Sequence, residues 1–199
     1  MRKENSKITS IAAGICFAVY GIIGLFFSIK GLIGPPQVDI WGTVYYIGYR
    51  FAVVVILLYV FSSLGSIAVG LGTFQQKRKL CFIGAITCAA TFLVQTAISL
   101  LSYEITSLYI VGTSFYTFIF FASALCWLLI FICFKNESLA AGIIAGGIGL
   151  ARLIFISFSV LATRDNGYVT MKPECLCTIA AFALVLAYIF SAVAFTSKK

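Results

Sequence analysis

The chain contains no histidine, and only six of its 199 residues are acidic. The missing histidine excludes Ser–His and Cys–His catalysis, HExxH metal sites, and haem or zinc held by histidine. No carboxylate lies deep within an apolar stretch, so the proton relay of an ion-driven carrier is absent. There is also no nucleotide-binding loop and no nucleophile beside a base. The sequence therefore predicts neither an enzyme nor a carrier that powers itself, and it indicates no cofactor.

Charge is also scarce, because 10% of the residues are charged and 62% are hydrophobic. A soluble domain of this size is about half apolar and a quarter charged. A water-soluble fold needs a polar exterior that this composition does not supply, whereas a bilayer removes that requirement. The length suits one compact bundle, so residues 1–199 are predicted to form a single transmembrane domain.

Six apolar stretches are long enough for a helix to cross the hydrocarbon, which takes about 20 residues. They do not alternate as the strands of a membrane barrel do. The predicted fold is therefore an all-α bundle of six transmembrane helices. The predicted spans are Ile8–Ile29, Tyr46–Phe74, Leu80–Ser102, Ile110–Phe134, Leu139–Thr163 and Cys175–Thr196.

The basic residues divide unequally between the two sides of this bundle. Nine belong to one side: Arg2, Lys3, Lys7, Lys77, Arg78, Lys79, Lys135, Lys198 and Lys199. Four belong to the other: Lys30, Arg50, Arg164 and Lys172. The positive-inside rule places the richer side, with both chain ends, in the cytoplasm. Residue usage favours a bacterial plasma membrane. Basic residues at membrane borders leave no soluble basic face for nucleic acid.

Arg152 is the one charge predicted near the middle of a span. A charge there costs at least about 2.5–3.5 kcal/mol on insertion scales, so it is expected to face protein, a cavity or a ligand. The alternatives are a structural role, in which Arg152 bonds backbone carbonyls, and an extended side chain that reaches the headgroups.

Further polar residues concentrate in the half of the bundle predicted to face outward. Gln95 lies on a stripe of the third span together with Gly84, Cys88, Thr91 and Ser102. Glu104 lies at that span's outer end. Arg50, Tyr49 and Trp41 lie near the outer end of the second span. Together with Arg152 they predict an outward-facing pocket for a small anionic or polar solute. The alternative for the aromatic residues is the ordinary belt at a membrane interface.

Two helix faces carry small residues that allow close helix approach. Gly14, Ala18 and Gly21 lie on the first span, and Gly142, Gly146 and Gly149 lie on the fifth. Packing within the bundle is one interpretation, and docking onto another membrane subunit is the other.

A lysine also precedes a glycine by seven residues at Lys7, Lys77 and Lys135, which suggests three parallel hairpin repeats. The alternative is that lysine and glycine are simply common at membrane borders.

Seven cysteines are present, most of them within apolar runs, where cysteine acts as a small hydrophobe. Cys175 and Cys177 lie near a membrane edge and are interpreted as unpaired thiols. A soft-metal site or an oxidised pair is the alternative.

The leading hypothesis is a substrate-binding or transport component that captures a solute from outside without its own energy source. In length, helix number and the small-residue face of the first span, the chain resembles the substrate-capture subunits of energy-coupling-factor vitamin transporters. That resemblance implies a separate energising partner. The Ala-x-x-x-Ala motif of that family is absent, and Gly14-x-x-x-Ala18 is the nearest match. The alternative hypothesis is a non-catalytic structural or regulatory subunit of a larger membrane complex.

Overall fold

The computed structural model describes the backbone of residues 2–33, 38–40, 43–45, 49–105, 110–163 and 171–196. Side chains are described for residues 7–30, 54–100, 117–154 and 178–194. Within these ranges the chain forms six long helices and one short hairpin. The helices are α1 (Arg2–Ile33), α2 (Tyr49–Phe74), α3 (Arg78–Ile105), α4 (Ile110–Asn136), α5 (Leu139–Thr163) and α6 (Met171–Thr196). Strands β1 (Val38–Ile40) and β2 (Thr43–Tyr45) pair antiparallel between α1 and α2.

The six apolar stretches correspond to these six helices. Four of the helices contain segments long and apolar enough to cross a membrane: Lys7–Lys30, Val54–Phe74, Arg78–Leu100 and Thr117–Asn136. Shorter apolar segments of α5 and α6, Leu139–Ile154 and Thr178–Ala194, are described with their side chains. Large hydrophobic residues such as Ile22, Phe61 and Ile143 are more than half exposed on the outer surface. An apolar exterior of this kind suggests a membrane protein.

The helices form a closed ring in which each contacts its neighbours in sequence. α1 packs on α2, α2 on α3, and so on to α6, which returns to pack on α1. Side chains fill the centre of this ring. Phe17 of α1 meets Trp127 of α4 from the opposite side, with ring centroids 5.5 Å apart.

Glycines set the closest approaches between neighbouring helices. A Cβ at Gly70 would lie 2.7 Å from the carbonyl oxygen of Gly14, so α1 and α2 meet backbone to backbone. A Cβ at Gly65 would lie 2.9 Å from the carbonyl oxygen of Gly84, which gives α2 and α3 the same kind of crossing. Real Cβ atoms do not tolerate such distances, so these crossings require glycine.

Both predicted small-residue faces are occupied within the chain. Gly14 and Gly21 pack against α2, while Gly142, Gly146 and Gly149 pack against α6. Ala18 lies beside Gly70 of α2. In this arrangement these residues therefore pack against other helices of the same chain.

Buried thiols and hydroxyls add polar contacts between helices. Cys88 donates to the carbonyl oxygen of Ser62 at 3.2 Å, and Cys126 donates to that of Ala145 at 3.5 Å. Ser66 donates to the carbonyl oxygen of Phe17 at 2.9 Å, joining α2 to α1. In an apolar surrounding each polar hydrogen gains from such an acceptor. Cys88 and Cys126 therefore act as packing residues.

Two short turns lie at one end of the ring. Gln76 and Glu137 adopt positive φ angles of 56° and 52° and end α2 and α4. Ser138 then accepts a hydrogen bond from the backbone N–H of Ala141 at 3.3 Å, as a helix N-cap does. An ion pair between Arg78 and Glu137 joins the two turns. We call this the turn end of the bundle.

The turns also correct the predicted lysine–glycine repeat. Lys77 immediately precedes α3, but Lys135 lies in the last turn of α4 and does not open α5. The seven-residue spacing therefore does not mark equivalent positions. The positions that match in the two turns are those with positive φ, Gln76 and Glu137.

Candidate functional site

Arg152 is buried in the interior of the ring, with 3% of its surface exposed. Helix α5 carries Arg152 into the interior because Gly149, about one turn earlier on the same helix, allows close packing against α6. A Cβ at Gly149 would lie 3.3 Å from the Tyr188 ring. Arg152 therefore does not lie on the outer surface of the ring, which leaves a ligand-binding role and a structural role open.

The neighbours of Arg152 come from three other helices. Arg152 donates a hydrogen bond to the Tyr20 hydroxyl of α1, and it also lies near Tyr188 of α6 and Cys126 of α4. We call these four residues the Arg152 cluster. Tyrosine and cysteine are neutral at ordinary pH, so the described neighbours of this buried cation carry no opposite charge.

An aromatic layer lies beside the cluster and closes the centre of the ring. It consists of Phe17, Trp127 and Tyr188, and all three side chains are fully buried. The centroid of the Tyr188 ring lies 5.7 Å from that of Trp127 and 6.0 Å from that of Phe17. Tilted and edge-to-face arrangements at these distances are favourable for aromatic rings. The layer fills the bundle axis with side chains instead of leaving a pore.

Several buried polar atoms of the interior have no hydrogen-bond partner. They are both amide atoms of Gln95, the indole nitrogen of Trp127, the hydroxyl of Tyr188 and the hydroxyl of Ser191. Leaving a buried polar group unsatisfied costs about 1–3 kcal/mol. Such groups are rare, and they commonly mark a place for water, an ion or a ligand. The interior of the ring is therefore a candidate binding site.

Gln95 belongs to the polar stripe predicted on α3. Gly84, Cys88, Thr91 and Gln95 are all buried, and Gln95 is 2% exposed. Ser102, the last residue of that predicted stripe, lies outside the described side chains.

The other predicted site residues are placed only in part. Tyr49 and Arg50 are the first two residues of α2, and Glu104 is the next-to-last residue of α3. Their side chains lie outside the described ranges, and Trp41 lies outside the described residues altogether, as do the side chains of Cys175 and Cys177. Arg152 and Gln95 are thus the two predicted residues with described surroundings.

Tyr20, Tyr188 and Trp127 were not predicted as site residues. The sequence does single out two of them, because Tyr20 and Tyr188 lie near the middle of apolar stretches. Tyrosine is expected at the membrane interface, where its hydroxyl reaches water. A tyrosine far from either border needs a buried partner, and at Tyr20 that partner is Arg152.

Among the residues whose side chains are described, no three His, Cys, Asp or Glu residues come together as metal ligands. The chain matches no protein-family model, no curated protein and no solved structure. The function must therefore be argued from the site itself.

Proposed function

We propose that this protein is a membrane-embedded binding component that captures a small anionic solute, with Arg152 as the anchoring residue. The observation that carries the proposal is a buried arginine whose described neighbours offer hydroxyl and thiol groups from three other helices. A buried cation is stabilised by an opposite charge, and an anionic solute supplies one. Arginine suits this task because its planar donors match a carboxylate or phosphate.

Two of the six acidic residues can be placed relative to Arg152, and both lie far from it along the bundle. Glu137, the one acidic residue with a described side chain, forms an ion pair with Arg78 at the turn end. Glu104 lies 26 residues into α3, whereas Arg152 lies 13 residues into α5. At 1.5 Å per residue, these positions differ in depth by about 20 Å.

We propose that the pocket opens on the side opposite the turn end, because the turn end carries the excess of basic residues. Lys7, Lys77 and Lys79 are exposed there. Ser10 donates to the carbonyl oxygen of Thr73 at 2.7 Å, which brings the beginning of α1 to the same end. The positive-inside rule then favours a cytoplasmic location for this end, in keeping with the proposal that all six helices span a plasma membrane.

Thiol labelling tests this orientation. A cysteine-free parent receives one cysteine at Asn166 or at Gln76, and intact cells are treated with an impermeant maleimide. Labelling of the Asn166 variant alone is the expected result, because Gln76 lies at the turn end. Labelling of the Gln76 variant in intact cells would reverse the orientation.

A solute screen tests the function. The purified protein is heated with a panel of carboxylates, phosphates and neutral polar solutes, and the melting temperature is recorded. A stabilising anion is expected for wild type, and Arg152→Met should remove the shift while the protein still folds. Methionine keeps an unbranched chain of similar length but not the charge. Arg78→Met is the matched control, because it makes the same change at the exposed turn end and should keep the shift.

The screen also separates this proposal from the alternative of a non-catalytic subunit. A subunit of a larger complex should show no shift with any solute, and it should co-purify from native membranes with a partner in fixed ratio. That pair of results would replace the binding proposal. A stabilising solute whose effect survives Arg152→Met would remove Arg152 from the site.

A further inference from the structure

A cavity of about 280 Å³ lies at the turn end, between the beginning of α1 and the end of α2. The residues that line it are Lys7, Ser10 and Ile11 of α1, Phe74 of α2, and Gln75 and Gln76 of the following turn. Its volume is near the lower end of the range for small-molecule pockets, which begins at about 300 Å³. The cavity shares no residue with the Arg152 cluster, so a ligand there would be separate from the captured solute.

The close packing of α1 on α2 fixes the walls of this cavity. Ser10 is buried and donates a hydrogen bond to the carbonyl oxygen of Thr73 at 2.7 Å. One turn farther along α1, a Cβ at Gly14 would lie 3.3 Å from both the Cβ and the backbone nitrogen of Phe74. α2 then ends at Phe74, and the chain turns away at Gln76, where φ is 56°. Backbone contacts therefore hold the two sides of the cavity in place.

The polar part of the lining lies at the border of the apolar segments. Lys7 begins the segment Lys7–Lys30, and Phe74 ends the segment Val54–Phe74. The cavity therefore lies where both segments would leave the hydrocarbon of a membrane. The two glutamines that follow Phe74 are exposed at the same cavity. One ammonium group and two primary amides thus offer hydrogen-bond donors at this level.

Apolar surface continues from the cavity toward the middle of the segments. Lys7, Ile11 and Ile15 are spaced by four residues, so they lie along one face of α1. Ile11 is half-buried at the cavity, and Ile15 is exposed beyond it. Leu71 and Phe74, three residues apart on α2, are exposed as well. A ligand that matches both parts has a polar head that accepts hydrogen bonds and hydrocarbon chains joined to it, as a membrane lipid has.

The charge around the cavity favours a lipid with an anionic head. Lys7 is exposed at the cavity, and Lys77 and Lys79 are exposed on the adjoining turn and the first turn of α3. Glu137, the one acidic residue with a described side chain, pairs with Arg78. Among the described side chains, therefore, no carboxylate neutralises Lys7. Basic pockets between helices at a membrane border bind anionic headgroups, and nearby basic residues strengthen that attraction.

We infer that this cavity binds an anionic phospholipid, with the phosphate at Lys7 and the acyl chains along the exposed apolar faces of α1 and α2. An inorganic phosphate would use the ammonium and amide donors but would leave the apolar part uncovered. A zwitterionic lipid would cover the apolar part but brings no net negative charge to Lys7. This lipid site does not rest on the proposed function, because the solute site at Arg152 involves other residues.

Lipid retention tests the inference on the full chain. The protein is reconstituted into vesicles of equal parts phosphatidylglycerol and phosphatidylcholine with identical acyl chains. It is then extracted in mild detergent, and its bound lipids are counted by native mass spectrometry. Wild type should retain phosphatidylglycerol in preference to phosphatidylcholine. Lys7→Gln should reduce this preference roughly fivefold, because it removes one basic charge at the headgroup, whereas Lys7→Arg should keep it.

Lys135→Gln is the matched control for bulk charge. Lys135 is exposed at the same end of the bundle and does not line the cavity. The substitution changes the net charge as Lys7→Gln does, so it should leave the lipid preference unchanged. Lys7 is exposed too, so Lys7→Gln should fold and should melt at the wild-type temperature in detergent without added lipid.

Four results would overturn the lipid site. Equal retention of both lipids by wild type would show that the headgroup is not read, and equal losses in Lys7→Gln and Lys135→Gln would show that bulk charge attracts the lipid. Stabilisation by inorganic phosphate as large as that by phosphatidylglycerol would assign the cavity to a free anion. A dimer that Lys7→Gln dissociates would assign it to a second copy of the chain.

Arg152→Met separates the lipid site from the proposed function. The variant should keep the preference for phosphatidylglycerol while it loses the shift in melting temperature with a soluble anion. Loss of the lipid preference in Arg152→Met would move the lipid to the Arg152 cluster and overturn the site at the turn end. Failure of the solute screen would overturn the proposed function and leave the lipid preference of wild type as it is.

Discussion

The helix crossings near the turn end and the interior around Arg152 follow opposite rules. At the crossings, backbone lies against backbone, and thiols and hydroxyls donate to carbonyl oxygens of adjacent helices. In the interior, Arg152 lies near Tyr188, whose hydroxyl has no hydrogen-bond partner, and other buried polar atoms also lack one. The crossings are thus optimised for packing, whereas the interior keeps hydrogen-bonding capacity that folding alone does not use. Proteins commonly accept such a cost where they bind a ligand.

The largest effect on stability is expected from a substitution at the crossing of α2 and α3. A Cβ at Gly84 would lie 2.7 Å from Val69 Cγ2 and 2.9 Å from the Val69 backbone nitrogen. Because backbone atoms cannot move aside as a flexible side chain can, Gly84→Ala should lower stability by about 3 kcal/mol. Thermal unfolding in detergent measures the change.

Gly147→Ala is the control for that substitution. Gly147 is exposed on α5, and a Cβ there would meet no atom within 4 Å. Alanine is the better helix former, so this variant should be neutral or slightly stabilised. If Gly84→Ala changed the stability as little as Gly147→Ala, α2 and α3 would not cross as closely as described.

A smaller effect distinguishes two tyrosines of the Arg152 cluster. Tyr20→Phe removes the hydroxyl that accepts a hydrogen bond from Arg152, and should cost about 2 kcal/mol. Tyr188→Phe removes a hydroxyl without a hydrogen-bond partner, and should leave the melting temperature of the solute-free protein unchanged or raise it. Each variant thus serves as the control for the other. Equal losses of stability in the two variants would mean that the interior follows the same packing rules as the helix crossings.

Much of the fold could be predicted because apolar length determines it. The fifth predicted span has the same bounds as α5, and the fourth differs from α4 only by two residues at its end. α1 extends beyond its predicted span at both ends, since a helix can continue into polar sequence such as Arg2–Lys7. The hairpin of β1 and β2 was not predicted, because Gly34-Pro35-Pro36 indicates a turn without revealing which strands pair.

The site could be predicted only in part, since composition identifies unusual residues but not their neighbours. Arg152 and Gln95 stand out as polar residues in apolar stretches, and both are buried. Tyr20, Cys126 and Tyr188 join Arg152 through the ring arrangement of α1, α4, α5 and α6, which no local pattern encodes.

The ring has a consequence for biogenesis. Every helix after the first packs on the helix made just before it, so most contacts can form while the chain is being synthesised. The neighbours of Arg152 include Tyr20 on α1, the first helix to be synthesised, and Tyr188 on α6, the last. Arg152 on α5 is therefore synthesised before its surroundings are complete, and the interior around it forms only after α6 has closed against α1.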